Sequence, residues 1–451
     1  MIIIKNGTLV RDTESRGDIA VEGKRILKIA DSIEPGPGDR VIDASGCLVF
    51  PGFIDAHTHF QMKNAITTTA DSFETGTRAA VMGGTTTIIN FASPVKGGTL
   101  RAAYDESMKK AVGCCSADYR FHMEIVDWND SIEAEIQDMK ALGITSFKVY
   151  MAYDIRIDDA AIYNCLRAVK KAGGLLGAHC ENGDMLRAKT AELKKNGELA
   201  PAAHPKSHPV EAEAEAVSRL AYIGRLAGYP VHVVHLSSAD GLAELRKARL
   251  MGIEITAETC PQYLVLDESR YQLPGFESAK YVMSPPLRSL SDQAAILDAV
   301  SRGEIQTIAT DHCSYNFAAQ KSLGMDDFSK IPNGAPGVEH RVPLMYTALV
   351  CSGLISTVRL AELMAGNPAK MYHMYPQKGI LAEGSDADIV IYQTDGAHRI
   401  EAAVQTQNVD YTPYEGMTVQ GSVKYVLLGG IPVVENGILT QPNMGAYAGN
   451  A

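Results

Sequence analysis

The sequence predicts an α/β protein: a (β/α)8 (TIM) barrel in the middle of the chain, with a small β-sandwich built from the two ends. Three observations carry that expectation. About eight short apolar, β-branched runs alternate with helical patterns between Pro51 and Tyr375, as strands and helices alternate in a parallel barrel. Both termini are instead rich in short strands and turns. Residues of metal-ligand type fall at the ends of the candidate strands, which a barrel gathers at one mouth.

Taken in order, Ile2 to Ile4 is β-branched. Asp18–Val21 and Arg25–Ile29 flank Glu22-Gly23-Lys24 and read as a hairpin. Val41–Asp43 and Cys47–Phe50 add two short strands. The barrel strands are expected at Phe53–Ala56, Thr86–Phe91, Tyr119–Ile125, Ser146–Met151, Leu175–Ala178, Val231–His235, Ile253–Glu258 and Thr307–Thr310. Helical patterns separate them, among them Ile132–Leu142, Ala160–Lys171, Pro209–Ala227 and Leu242–Met251. A doubly wound sheet would show a glycine-rich phosphate turn after its first strand, and none is present. Asp388–Tyr392, Val423–Leu428, Ile431–Val434 and Ile438–Leu439 then read as a closing meander. The expected division is a sandwich of 1–50 with 376–441, a catalytic barrel of 51–375, and a loose tail of 442–451.

The chain has 451 residues, 46% hydrophobic and 21% charged, which excludes wholesale disorder. Its net charge of −11 argues against binding nucleic acid or an anionic membrane surface. The start, MIIIKNGTLV, lacks a signal-peptide core, and no run is apolar enough to span a bilayer. The eight cysteines are scattered without a C-x-x-C pair, which suits reduced thiols in the cytoplasm.

On this strand map His57 and His59 close strand one, two residues apart and so on one side of an extended strand. Lys148 lies in strand four, and His179, His235 and Asp311 end strands five, six and eight. Four imidazoles and a carboxylate suit zinc or another divalent transition metal. A protonated lysine would be repelled there, whereas Lys148 carbamylated by CO2 would offer an anionic two-oxygen bridge. A Schiff-base or ion-pairing lysine is the competing reading. The other histidines are expected to be structural, with His232 facing away from His235.

Longer motifs surround these residues: PGFIDAHTH at 51–59, GGTTT at 83–87, FKVYMAY at 147–153, HCEN at 179–182 and VHLSS at 234–238. ETCPQYL at 258–264, SPPLR at 284–288, ATDHC at 309–313 and PNGAPGVE at 332–339 follow. With them the chain resembles the binuclear amidohydrolase superfamily, and within it the hydantoinases and dihydropyrimidinases, over nearly its whole length. The resemblance implies a buried metal on His57, His59 and Asp311, and a more exposed one on His179 and His235, bridged by carboxylated Lys148. Two divalent ions, zinc first, and a bridging hydroxide would open a cyclic amide to an N-carbamoyl amino acid. Tyr153 would bond the scissile carbonyl, Asp311 would shuttle the proton, and the main chain of Ser284 and Asn333 would hold the ring's other amide. The substrate is a 5-substituted hydantoin or dihydropyrimidine, and the assembly a homotetramer or homodimer. Tyr153 favours this branch over allantoin- or dihydroorotate-type relatives, and the filled ligand positions disfavour a non-catalytic scaffold. Phe60, Met62, Ile66 and Ile155 read either as a partly apolar wall around the ring substituent, which would favour bulky 5-substituents, or as residues several of which pack beneath the loop.

Overall fold

The computed structural model describes residues 1–449. Eight parallel strands follow one another in sequence order around a barrel. They run over Phe53–Thr58, Thr85–Ala92, Asp118–Glu124, Ser146–Tyr150, Leu175–His179, Val231–Val233, Ile255–Thr259 and Thr307–Ile308. The first two are buried at every position, because helices cover the outside of a sheet whose inside is filled by side chains. A parallel bridge from Thr58 to His312 closes the ring, helped by the His59 N–H donating to the His312 carbonyl at 2.8 Å.

The intervening helices begin where short polar side chains can accept the free N–H groups of the first turn. Asp158 caps Asp159–Ala172, Asn182 caps Gly183–Lys195, and Ser238 caps Ala239–Leu250. The first of these ends on Gly173 in the left-handed conformation, which costs glycine little.

The chain ends together form a separate nine-stranded sheet. Cys47–Pro51 pairs antiparallel with Ile389–Arg399 and so joins the N-terminal strands to the C-terminal ones. The expected hairpin is present, with Glu22 opposite Arg25 around a Gly23-Lys24 turn. Leu9, Ile19, Val49, Ile389, Ile391 and Leu427 share the core of this sheet. Buried Lys378 ties the sheet to the barrel, 2.5 Å from Asp388 and 2.6 Å from Asp118 at the start of the third barrel strand.

Two expectations are corrected. The segment from Pro442, expected to be loose, is pinned across the barrel's lower end as far as residue 449; residues 450 and 451 lie outside the described residues. The Gly445 N–H donates to Cys115 O, the Ala448 N–H donates to Tyr119 O, and Tyr119 donates back to Ala446 O. The Tyr447 hydroxyl donates to Leu142 O at 2.6 Å. Second, His232 faces into the barrel. It is in register with Gly177, which is itself in register with Lys148, so all three share the inner face. The sixth strand stops at Val233, and His235 lies beyond it with φ 41°. The two-residue alternation therefore does not reach His235.

Candidate metal centre

At the C-terminal mouth of the barrel lies a cavity of about 550 Å3. Its lining includes His57, His59, Lys148, Tyr153, His179, His235, Ser284, Asp311 and Asn333. The nine residues expected to bind metal or substrate thus meet in one place. Cys47 through Cys351 are free thiols, and among the described residues no cysteine joins a group that could hold a metal.

The imidazoles are aimed by carboxylates behind them. His57 Nδ1 donates to Glu258 Oε1 at 2.7 Å, which fixes the ring with its Nε2 facing the cavity. His57 Nε2 lies 3.2 Å from Asp311 Oδ1, which also lies 3.0 Å from His59 Nε2. His179 Nε2 donates to Glu181 Oε2 at 2.9 Å, and its Nδ1 lies 3.0 Å from His235 Nε2. Without a metal, ring N–H groups bridge these pairs; with the rings deprotonated, the same atoms form a set of electron-pair donors around one centre. His57, His235 and Asp311 each offer a donor atom within 4.8 Å of the others. The buried Nδ1 atoms of His59 and His235 have no protein partner. A borderline divalent cation fits this donor set.

The electrostatics follow the same layout. Burial would raise the Asp311 carboxyl, but His57 and His59 hold it well below the usual carboxylate range. Burial and the neighbouring His179 and Lys148 push His235 far down. Burial would likewise raise Glu181, yet His208 and His179 hold it far below the ordinary value. Burial lowers Lys148, partly offset by Asp311, Glu124 and Glu258. The Lys148 Nζ sits 4.6 Å from the Phe91 ring centroid and 5.1 Å from that of Tyr150, and 3.3 Å from His57 Nε2.

Tyr153, His235 and Asp311 adopt φ of 67°, 41° and 52°. A non-glycine residue there costs about 1–2 kcal/mol, and such strain collects at functional sites. At all three positions the chain has just left a strand and bends to bring a side chain over the barrel axis.

Glu258 and Glu181 were not singled out in the sequence. Both lie inside quoted motifs, ETCPQYL and HCEN, but act through histidines that only folding brings near. Of the two readings of the apolar loop residues, Phe60 takes the packed one. It is 1% exposed and packs against Phe73 and His312 beneath the loop. Met62, Ile66, Val95 and Ile155 line the cavity instead.

The barrel, its strand-end histidines and Asp311 define a metal-dependent hydrolase of the amidohydrolase class. The profile of the amidohydrolase family matches residues 48–433, and the chain belongs to that family. Among its relatives, a D-hydantoinase of Geobacillus stearothermophilus is 40% identical over 454 residues, covering 100% of this chain and 96% of the relative. A D-phenylhydantoinase of Escherichia coli SE11 is 39% identical, covering 97% of this chain and 95% of that one. The crystal structure of dihydropyrimidinase from Brevibacillus agri NCHU1002 superposes with a TM-score of 0.97 at 40% identity, over 99% of this chain and 98% of that one.

Proposed function

We propose that the protein hydrolyses a cyclic amide, a 5-substituted hydantoin or a dihydropyrimidine, to an N-carbamoyl amino acid. The observation that carries this reading is the convergence of His57, His59, His179, His235, Lys148 and Asp311 on one cavity. The names of the relatives support the substrate class, and most of those near 40% identity carry the D designation. We extend that preference to this chain.

His57, His59 and Asp311 would hold one divalent ion, and His179 and His235 a second, with Lys148 carboxylated between them. Zinc is the first candidate. When bound, the pair would polarise the ring carbonyl and make water nucleophilic near neutral pH. Asp311, kept ionised by His57 and His59, accepts the proton of the attacking water and delivers it to the leaving ring nitrogen. The Tyr153 hydroxyl stays protonated, since burial and then Glu181 raise its pKa well above 10. It can therefore donate to the oxygen on which charge develops. The main chain of Ser284 and Asn333 binds the ring's second amide. Met62, Ile66, Val95 and Ile155 receive an apolar substituent at carbon 5.

No helix among the described residues is long and apolar enough to cross a membrane. With free thiols throughout, we place the enzyme in the cytoplasm, as a homodimer or homotetramer. The test is a panel of hydantoin, D- and L-5-phenylhydantoin, dihydrouracil, allantoin and dihydroorotate, with and without chelator. Chelator-sensitive turnover of hydantoins or dihydrouracil is expected, together with two metal ions per chain. Turnover of allantoin or dihydroorotate alone would overturn the reading.

A further inference from the structure

Lys321 is fully buried, with no exposed side-chain surface, and among the described residues no carboxylate pairs with it. A buried ammonium is costly unless its donors are all satisfied. Here they are satisfied by main chain alone. Nζ donates to Val282 O, Pro332 O and Gly334 O, each at 2.7 Å. Those carbonyls belong to the two segments that present Ser284 and Asn333 to the cavity.

The geometry of the peptide unit makes this consequential. Pro332 C=O and Asn333 N–H belong to one planar trans peptide and point in opposite directions. Holding Pro332 O toward Lys321 therefore turns the Asn333 N–H away from it. No protein group among the described residues bonds that N–H, nor the N–H and C=O of Ser284. The adjoining peptide is equally constrained: the Gly334 N–H donates to Val282 O at 3.0 Å. Gly334 has φ 140°, and a Cβ there would lie 2.4 Å from Cys313 O. Burial brings this lysine down to about 7, so what holds the peptide is the set of hydrogen bonds from Nζ rather than a fixed charge.

We infer that Lys321 is a positioning residue for the substrate's ring amide, orienting the Pro332–Asn333 peptide so that the Asn333 N–H faces the cavity. This rests on the cyclic-amide reading above. It assigns a role in recognition to a side chain that touches neither metal ligand nor substrate.

The test is Lys321→Met, which keeps the length and removes the donors, assayed on whichever cyclic amide the wild type opens. KM should rise on the order of tenfold, the loss of about one good hydrogen bond, with kcat within about threefold. Bound metal per chain should be unchanged. An unchanged KM overturns the inference, and so does loss of metal with a matching fall in kcat, which would mark a merely structural residue. If Lys321→Met does not fold, Lys321→Ala is assayed with added ethylammonium, which fits the vacated space. KM should then fall as ethylammonium rises and not respond to tetramethylammonium; the same response to both overturns the inference. A wild type that opens no cyclic amide would fail the functional reading instead, so the two failures are distinct.

Discussion

At the scale of single residues, Lys148 separates structural from chemical readings most sharply. It is buried between Phe91 and Tyr150 and in contact with His57, with no acid close enough to form an ion pair among the described residues. Lys148→Ala should lose bound metal and turnover together. Forfeiting several kcal/mol of charge stabilisation corresponds to a fall of about a thousandfold or more. Metal analysis alongside the hydantoin assay checks this, and two ions per chain with full turnover would remove the carbamate from the account. Glu258 acts one step back. Glu258→Gln keeps the shape but weakens the bond that orients His57, so metal affinity should drop roughly 10–100-fold. Chelator competition reads that directly. The six ligand candidates were legible in the sequence because their side chains are unusual in a strand end. Glu258 and Glu181 were not, since an acid that works by aiming a distant imidazole looks like any other buried acid.

At the scale of elements, the barrel strands were legible because short, largely β-branched and apolar runs recur between helical patterns. Their ends were less so. The expected Val231–His235 strand stops at Val233, and the left-handed turn at His235 leaves no mark in residue type. The closing segment misleads for a related reason. Its glycines and asparagine suit a loose tail, but its backbone groups find partners on Cys115 and Tyr119, which only tertiary structure supplies. Tyr447 anchors it, packing on Tyr104, Tyr119 and Phe121 with ring centroids 5.7–6.0 Å apart. Tyr447→Ala should therefore destabilise the fold by about 2–3 kcal/mol, somewhat below a fully buried aromatic. A urea midpoint unchanged from wild type would show that the tail contributes nothing. Activity at saturating substrate should hold, because this segment sits at the barrel end opposite the cavity.

At the scale of the whole molecule, the histidines outside the metal centre set how the fold responds to acid. Burial is the largest effect on each of three. It pushes His204 down to about 3, and His232 and His340 to about 4. Each is neutral in the folded protein and has a lower pKa there than the ordinary value of about 6.5 in an unfolded chain. The unfolded state therefore takes up protons first as pH falls. The stability these groups contribute is complete above about pH 6.5 and is lost progressively between there and about pH 4. Each can cost up to about 1.4 kcal/mol per pH unit in that window, so three of them give on the order of 4–6 kcal/mol by pH 5. Protonation of the metal ligands acts with the same sign, so a bare comparison of two pH values would confound the causes. A variant resolves them. His204 donates from Nε2 to Met283 O at 2.8 Å, and Gln can donate from the same region without titrating. His204→Gln should leave stability at pH 7.5 within about 1–2 kcal/mol of wild type, as for one altered buried hydrogen bond. Its urea-unfolding free energy should then fall less steeply between pH 7 and 5 than the wild type's, with metal saturating in both. Parallel slopes would mean that His204 is already protonated in the fold, or that acid sensitivity comes from the metal centre alone.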